Sequence, residues 1–179
     1  LEAGPKLHIL NYLRKLCKNP NIEYNEAVAD SEAQNGYRNA ALANFLKSCN
    51  NLHNPIDKVL DVYFHQCAIE MSCHDLSKAA LFLANKGKQP ETEKLITTYR
   101  ETKRINSLML TCGLYNEVGD FAWRVGLPGK SGVGGGIVAV MPGKLAISVW
   151  APELNHNGNS FAGIKALELF TTYTRKSIF

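Results

Sequence analysis

The run Leu127-Pro128-Gly129-Lys130-Ser131-Gly132-Val133-Gly134-Gly135-Gly136 sets a lysine and a serine beside a glycine cluster, directly ahead of the apolar segment Ile137-Val138-Ala139-Val140. Glycine at that density lets a backbone pass close to a ligand and turn its N–H groups toward it. The run therefore predicts a strand edge that offers amide donors, with Lys130 and Ser131 alongside. A phosphate-binding P-loop fails here on two counts. The pattern needs glycine at position 124, where Arg124 stands, and a helix after the Lys-Ser pair, where glycine and strand-forming residues follow.

Other residues could join such chemistry. Glu32 and Asn39 are seven apart, which on one helix places them almost in line, a carboxylate for an ammonium group and a carboxamide for a polar oxygen. The plainer alternative is a solvated helix face. Gly36 lies between them, and a glycine inside a helix costs about 1 kcal/mol and often marks a close backbone approach. Tyr115 follows Cys112-Gly113-Leu114 just past a predicted helix end, where a loop-borne phenol can relay a proton to or from a nucleophile. Packing in the core with a bonded hydroxyl is its alternative, as it is for Tyr63 on its own helix. His65, Cys67, Cys73 and His74 match no structural zinc spacing, so no metal is expected. No cysteine has an arguable histidine partner, and His8, His53 and His156 stand alone.

The elements that must position these residues change period along the chain. From Lys6 to about Val125 apolar residues recur at helical spacing. Leu7, Ile9, Leu10, Leu13 and Leu16 form one stripe that Asn19-Pro20 ends. A second helical stretch covers about Asn25 to Ser48, interrupted near Asn35-Gly36, and its later half should bury Ala41, Leu42, Phe45 and Leu46. Asn54-Pro55 opens a third, with Ile56, Val59, Leu60, Tyr63, Phe64 and Cys67 on a wide apolar face. Ser72 with Asp75 reads as a capping box before Leu76, Ala79, Ala80 and Leu83, and Lys86-Gly87 as its exit. Thr97 to Cys112 is a further helix with Gly113 as its cap, and Phe121 to Val125 a short amphipathic turn. Beyond residue 130, Ile137–Met141 and Leu145–Trp150 are strand-like runs around a Pro142-Gly143 turn, a hairpin signal. Asn157-Gly158-Asn159-Ser160 is a turn with capping residues, and Ala162 to Thr174 a final helix. Helices, then a hairpin, then a helix predict an α+β fold with a helix lying on an antiparallel sheet. Because two strands do not make a stable sheet, further strands are expected from elsewhere.

The chain has 179 residues, 45% hydrophobic and 20% charged, with a net charge of +4, an ordinary composition for a globular domain. Its basic residues are scattered among acidic ones, and Arg14, Lys15 and Lys18, like Arg100, Lys103 and Arg104, read as solvated helix faces. No nucleic-acid partner is expected, nor a membrane span, since no apolar run is long enough. Five cysteines in mostly helical apolar patterns suggest reduced core residues of a cytoplasmic protein. The opening Leu1-Glu2-Ala3-Gly4-Pro5 lacks a methionine and looks cut.

A Lys-Ser-Gly strand edge is similar to the Lys-Thr-Gly element of penicillin-recognising serine enzymes, which pair it with a nucleophilic Ser-x-x-Lys. No serine of these residues has lysine three positions on. The longer segments resemble the serine-dependent glutaminase family. They are Glu32-Ala33-Gln34-Asn35-Gly36-Tyr37-Arg38-Asn39, Asp61-Val62-Tyr63-Phe64-His65-Gln66-Cys67, Leu110-Thr111-Cys112-Gly113-Leu114-Tyr115, Gly126 through Gly136, and Trp150-Ala151-Pro152-Glu153-Leu154 with Gly158-Asn159-Ser160. The resemblance keeps its order over nearly the whole chain and corresponds to the C-terminal portion of such an enzyme. It implies a β-lactamase/transpeptidase-like fold, with residues 1–125 mainly helical and 126–179 a strand hairpin and C-terminal helix of one domain whose N-terminal portion lies elsewhere. It also implies hydrolysis of L-glutamine to L-glutamate and ammonia, a homo-oligomer, and no cofactor. Glu32, Asn39, Tyr63, Tyr115 and Val133 fall on the family's substrate-binding positions, Val133 through its backbone. Tyr115 takes a catalytic, proton-relaying role. Lys130 and Ser131 shape the site without supplying the nucleophile. Two other readings stand beside this one: a related serine hydrolase of another amide or a β-lactam, and a non-catalytic fragment or inactive homologue used for interaction.

Overall fold

The computed structural model describes residues 4–179, so the reading of Leu1-Glu2-Ala3 lies outside the described residues. The chain forms two compact units, one running to Met71 and the other Ser72–Phe179. The period changes from helical to extended after residue 125, and the units divide earlier than that.

The first unit is built on helices α1 (Pro5–Cys17), α2 (Glu26–Asn35), α3 (Tyr37–Ser48) and α4 (Ile56–Cys67), with short strands β1 (Glu23–Tyr24) and β2 (Ile69–Glu70). Pro5 starts α1 where a missing N–H costs nothing, and Leu10, Leu16 and Cys17 are its buried residues. Lys18, in the left-handed conformation, closes it. Arg14 is tied down rather than solvated: its Nε donates to the Ile22 carbonyl at 2.9 Å and an η nitrogen meets Glu23 at 2.6 Å. Asn25 caps α2, accepting from the Val28 N–H. β1 and β2 pair antiparallel, Glu23 with Glu70 and Tyr24 with Ile69. α4 is the hub against which α1, α2 and α3 pack.

One expectation fails on α3. Ala41 is exposed, and so are Leu42, Phe45 and Leu46, at 54, 66 and 45%, while Ala43 is the buried residue of that helix. Periodicity shows which residues share a face but not whether a neighbour covers it, and α3 turns its narrower alanine face inward. The α4 face is only partly covered as well: Phe64 is buried, whereas Tyr63 and Cys67 are exposed.

The second unit carries helices α5 (Cys73–Ala84), α6 (Tyr99–Cys112), α7 (Val118–Arg124) and α8 (Phe161–Thr174) around strands β3 (Gly129–Ser131), β4 (Gly136–Met141) and β5 (Leu145–Trp150). Reciprocal capping boxes open α5 (Ser72 with Asp75) and α6 (Thr98 with Glu101). The sheet order is β3-β4-β5, all antiparallel. The hairpin is as the sequence predicts, and the third strand is the Lys-Ser-Gly segment itself, with Lys130 opposite Val138 and Ser131 opposite Ile137. β4 is apolar on both faces because both are covered. Ile137, Ala139 and Met141 join Leu114, Phe121, Val125, Leu127, Ile164 and Leu167 in the main core. Val140 faces the other way, against Leu83 and Ala84. Among the described residues no helix is long and apolar enough to cross a membrane.

The cysteines depart from expectation. Cys17 is buried, but Cys49, Cys67, Cys73 and Cys112 are exposed. Cys67, Cys73 and Cys112 are terminal residues of their helices and Cys49 is the cap of α3, where a helical stripe loses its neighbours.

Gly113 joins α6 to the sheet at a distance no side chain tolerates. A β-carbon there would stand 1.7 Å from the Gly129 carbonyl oxygen and 2.3 Å from that of Met109. Gly113→Ala is expected to destabilise the protein by at least the roughly 1–3 kcal/mol typical of overpacking. Thermal or denaturant unfolding measures this, and an unchanged midpoint would show that the approach is not tight in solution.

Candidate active site

In the first unit the structure corrects the helix-face picture of Glu32 and Asn39. They are on separate helices, Glu32 on α2 and Asn39 on α3, with the break at Gly36. Both are half-buried. The close approach expected at Gly36 is present, since a β-carbon there would lie 2.6 Å from the Glu32 carbonyl oxygen and 2.6 Å from the Phe64 ring. Gly36 thus admits the α4 aromatic to the α2–α3 junction. Tyr63, adjacent to Phe64 with ring centroids 6.0 Å apart, is 44% exposed and not a core tyrosine.

In the second unit Tyr115, Lys130 and Val133 come together. Tyr115 opens a 3₁₀ turn, Tyr115–Glu117, and has a φ of +49°. That conformation costs a residue with a β-carbon roughly 1–2 kcal/mol and is found where surroundings impose it. The tyrosine is half exposed, and Lys130 Nζ sits 5.1 Å from its ring centroid, in cation–π range. The same Nζ donates to the Ser131 carbonyl. β3 alternates as an edge strand should, Lys130 outward and Ser131 inward.

Val133 lies two residues past the end of β3, in the turn between β3 and β4 rather than on the strand edge. Four glycines in five positions produce the turn, because a tight reversal needs positive φ, and Gly135 takes +92°. Hydrogen bonds pin its surroundings: Gly132 N–H to the Gly136 carbonyl at 2.9 Å, Gly135 N–H to that of Gly132 at 3.0 Å, and Trp150 Nε1 to that of Gly134 at 2.8 Å. Among the described residues the Val133 N–H donates to no group, so a fixed turn holds out an unused donor. Gly158 faces the same spot, where a β-carbon would be 3.9 Å from both the Tyr115 ring and the Val133 side chain.

Beneath these groups runs a buried polar network. Asn159 is fully buried and Ser131 nearly so. Ser131 Oγ donates to Asn159 Oδ1 at 2.6 Å. Asn159 Nδ2 donates to the Leu114 carbonyl at 3.2 Å and to a Glu117 carboxylate oxygen at 2.7 Å. Asn155 Nδ2 reaches the same carboxylate at 2.7 and 3.0 Å, and Asn155 Oδ1 accepts the N–H groups of Asn157 and Asn159.

Comparison with known proteins assigns the family. The glutaminase family model matches residues 4–179. The chain belongs to the glutaminase family. It is 51% identical over 175 residues to a glutaminase of Christiangramia forsetii, covering 98% of this chain and 58% of that one. With a glutaminase of Aliarcobacter butzleri the identity is 54% over 171 residues, covering 96% and 56%. Among solved structures, a Bacillus subtilis glutaminase in covalent complex with 5-oxo-L-norleucine, formed by reaction with 6-diazo-5-oxo-L-norleucine, matches with a TM-score of 0.89. The identity is 34%, over 96% of this chain and 61% of that one. The chain thus spans less than two thirds of the length of the glutaminases it matches, and its α+β fold is of the β-lactamase-like kind seen in them.

Glu117, Asn155 and the buried role of Asn159 escape a reading of the sequence by motif, which sees only a turn with capping residues. The signal available was Asn155, Asn157 and Asn159 at alternate positions, more carboxamides than one turn needs. Ser131→Ala leaves Asn159 Oδ1 buried without a donor and is expected to cost about 1–3 kcal/mol. Chemical denaturation reads this, and a variant as stable as the parent would remove the bond from the account.

Proposed function

We propose that this chain forms part of an enzyme that hydrolyses L-glutamine to L-glutamate and ammonia by serine acyl transfer. The nucleophile would be supplied by a Ser-x-x-Lys element outside these residues. The observation carrying the proposal is that Lys130 lies over the Tyr115 ring while Gly158 faces both that ring and the side chain of Val133, whose N–H donates to no group among the described residues, in a chain of the glutaminase family. Acyl transfer from a carboxamide needs a nucleophile, a proton relay and a donor for the oxyanion.

Each residue then has a role. The Val133 N–H donates to the carboxamide oxygen as it gains negative charge, an interaction whose loss costs about 2.7–4 kcal/mol of transition-state stabilisation. Preorganisation favours this donor, since the glycine turn is already bonded on either side and need not reorganise during reaction. The serine Oγ adds to the carboxamide carbon as its proton passes to the lysine of Ser-x-x-Lys, and the C–N bond then breaks as Tyr115 passes a proton to the departing nitrogen, releasing ammonia, after which the lysine returns its proton to the phenolate. Water then cleaves the acyl-serine to give glutamate. Lys130, over the Tyr115 ring, holds the phenol and favours anionic character nearby. Glu32 pairs with the free α-ammonium, so glutamine within a peptide is rejected. Asn39 and Tyr63 complete the contacts with the amino-acid end. The Glu32 contact also argues against a β-lactam, whose core has no free ammonium there.

Ammonia release from glutamine, compared with turnover of a β-lactam, tests the reading in the full-length polypeptide; preferential β-lactam hydrolysis would overturn it. The 179 residues alone should release none, and turnover by them would refute a nucleophile supplied from outside. Two variants test the roles. Glu32→Gln should raise KM roughly tenfold to a hundredfold, from a charge-assisted contact of about 1.5–3 kcal/mol, and an unchanged KM would remove the ammonium contact. Tyr115→Phe should lower kcat about 10²–10⁴-fold at near-parental Tm, because the ring under Lys130 remains. Undiminished turnover would take the proton relay away from Tyr115.

A further inference from the structure

The glutamine-hydrolysing reading requires Tyr115 and the Val133 N–H to keep a fixed relation, and the following inference rests on that reading. We propose that Asn159 is a positioning residue: braced by Glu117, its carboxamide holds Tyr115 in its left-handed conformation and fastens it to the Lys-Ser-Gly strand.

The Asn159 bonds bracket Tyr115 from both sides. Nδ2 donates to the Leu114 carbonyl, immediately before Tyr115, and to the Glu117 carboxylate, two residues after it. The Glu117 N–H closes the turn on the same Leu114 carbonyl at 3.0 Å. A tyrosine at φ +49° relaxes toward right-handed backbone when such brackets are lost, and its ring would then leave Lys130. On its other side Asn159 Oδ1 accepts from Ser131, the residue between Lys130 and the Gly132-Val133 turn. The Ser131 N–H also donates to the Gly113 carbonyl at 3.1 Å. One buried amide therefore joins residues 113–117, residues 129–131 and its own loop. Glu117 is kept on station by Asn155, and the Asn159 N–H by Asn155 Oδ1. An aspartate at 159 would have nearly the same shape but would set an oxygen against the Leu114 carbonyl and the Glu117 carboxylate. It thereby removes the bracket without removing volume.

The experiment compares Asn159→Asp and the gentler Glu117→Gln with the parent, in the full-length polypeptide, by hydrogen exchange and by kinetics. Exchange across residues 113–118 and 129–136 should quicken about tenfold or more while α4 keeps parental protection. The kcat for glutamine should fall about 10–100-fold with KM nearly constant, as for a misplaced catalytic group. Combined with Tyr115→Phe, either change should add little further loss, because both act through one phenol. Should Asn159→Asp not fold, Glu117→Gln reads out the same quantities. Unchanged exchange at 113–118, or losses that multiply with Tyr115→Phe, would overturn the proposal. If the parent itself releases no ammonia from glutamine, the functional reading falls, and the exchange data alone decide whether Asn159 is the bracket.

Discussion

A buried primary amide must satisfy two donors and an acceptor away from water, and Asn159 does so by tying together three segments remote in sequence. Leaving any of these groups unpaired would cost about 1–3 kcal/mol. The junction of the three segments places a strained tyrosine, a lysine and a glycine turn next to one another. The hydrophobic core beneath, centred on Ile137, Ala139, Ile164 and Leu167, supplies stability but little direction. The directional bonds of the amide set which atoms meet.

The second constraint is close approach. Gly113 lets the end of α6 rest on β3, and Gly36 lets the Phe64 ring enter the α2–α3 junction. In each case a backbone touches a neighbour where a methyl group would not fit. Each lies close in sequence to a tyrosine: Tyr115 stands two positions after Gly113, and Tyr63 beside Phe64. The glycine turn at Val133 works differently. It is secured by hydrogen bonds on either side and keeps one N–H unspent.

Much of this was legible in the sequence. The capping box at Ser72, the helix break at Gly36, the hairpin about Pro142-Gly143 and the cap at Ser160 follow from local rules that need no partner. The Lys-Ser-Gly edge and its glycine run stood out by composition, as did Tyr115 past its helix end. What stayed hidden needed a neighbour to define it. Leu42, Phe45 and Leu46 share a face that is open, and four of the five cysteines lie at or beside helix ends, exposed. Val133 belongs to a turn and not to the strand, because β3 ends at Ser131.

The sequence by itself determined the run of helices, the β4–β5 hairpin, the glycine-rich turn and which family the chain resembles. Capping, turn geometry and periodicity act over a few residues, so those features are written locally. Only the tertiary structure decided that Asn159 is buried against Glu117 and Ser131, that Lys130 lies over Tyr115, and that Gly158 faces Tyr115 and Val133 together. Those pairings join residues 15 to 43 positions apart. Which polar groups meet at that range is set by how the layers pack, and no local preference of an asparagine or a lysine can specify it.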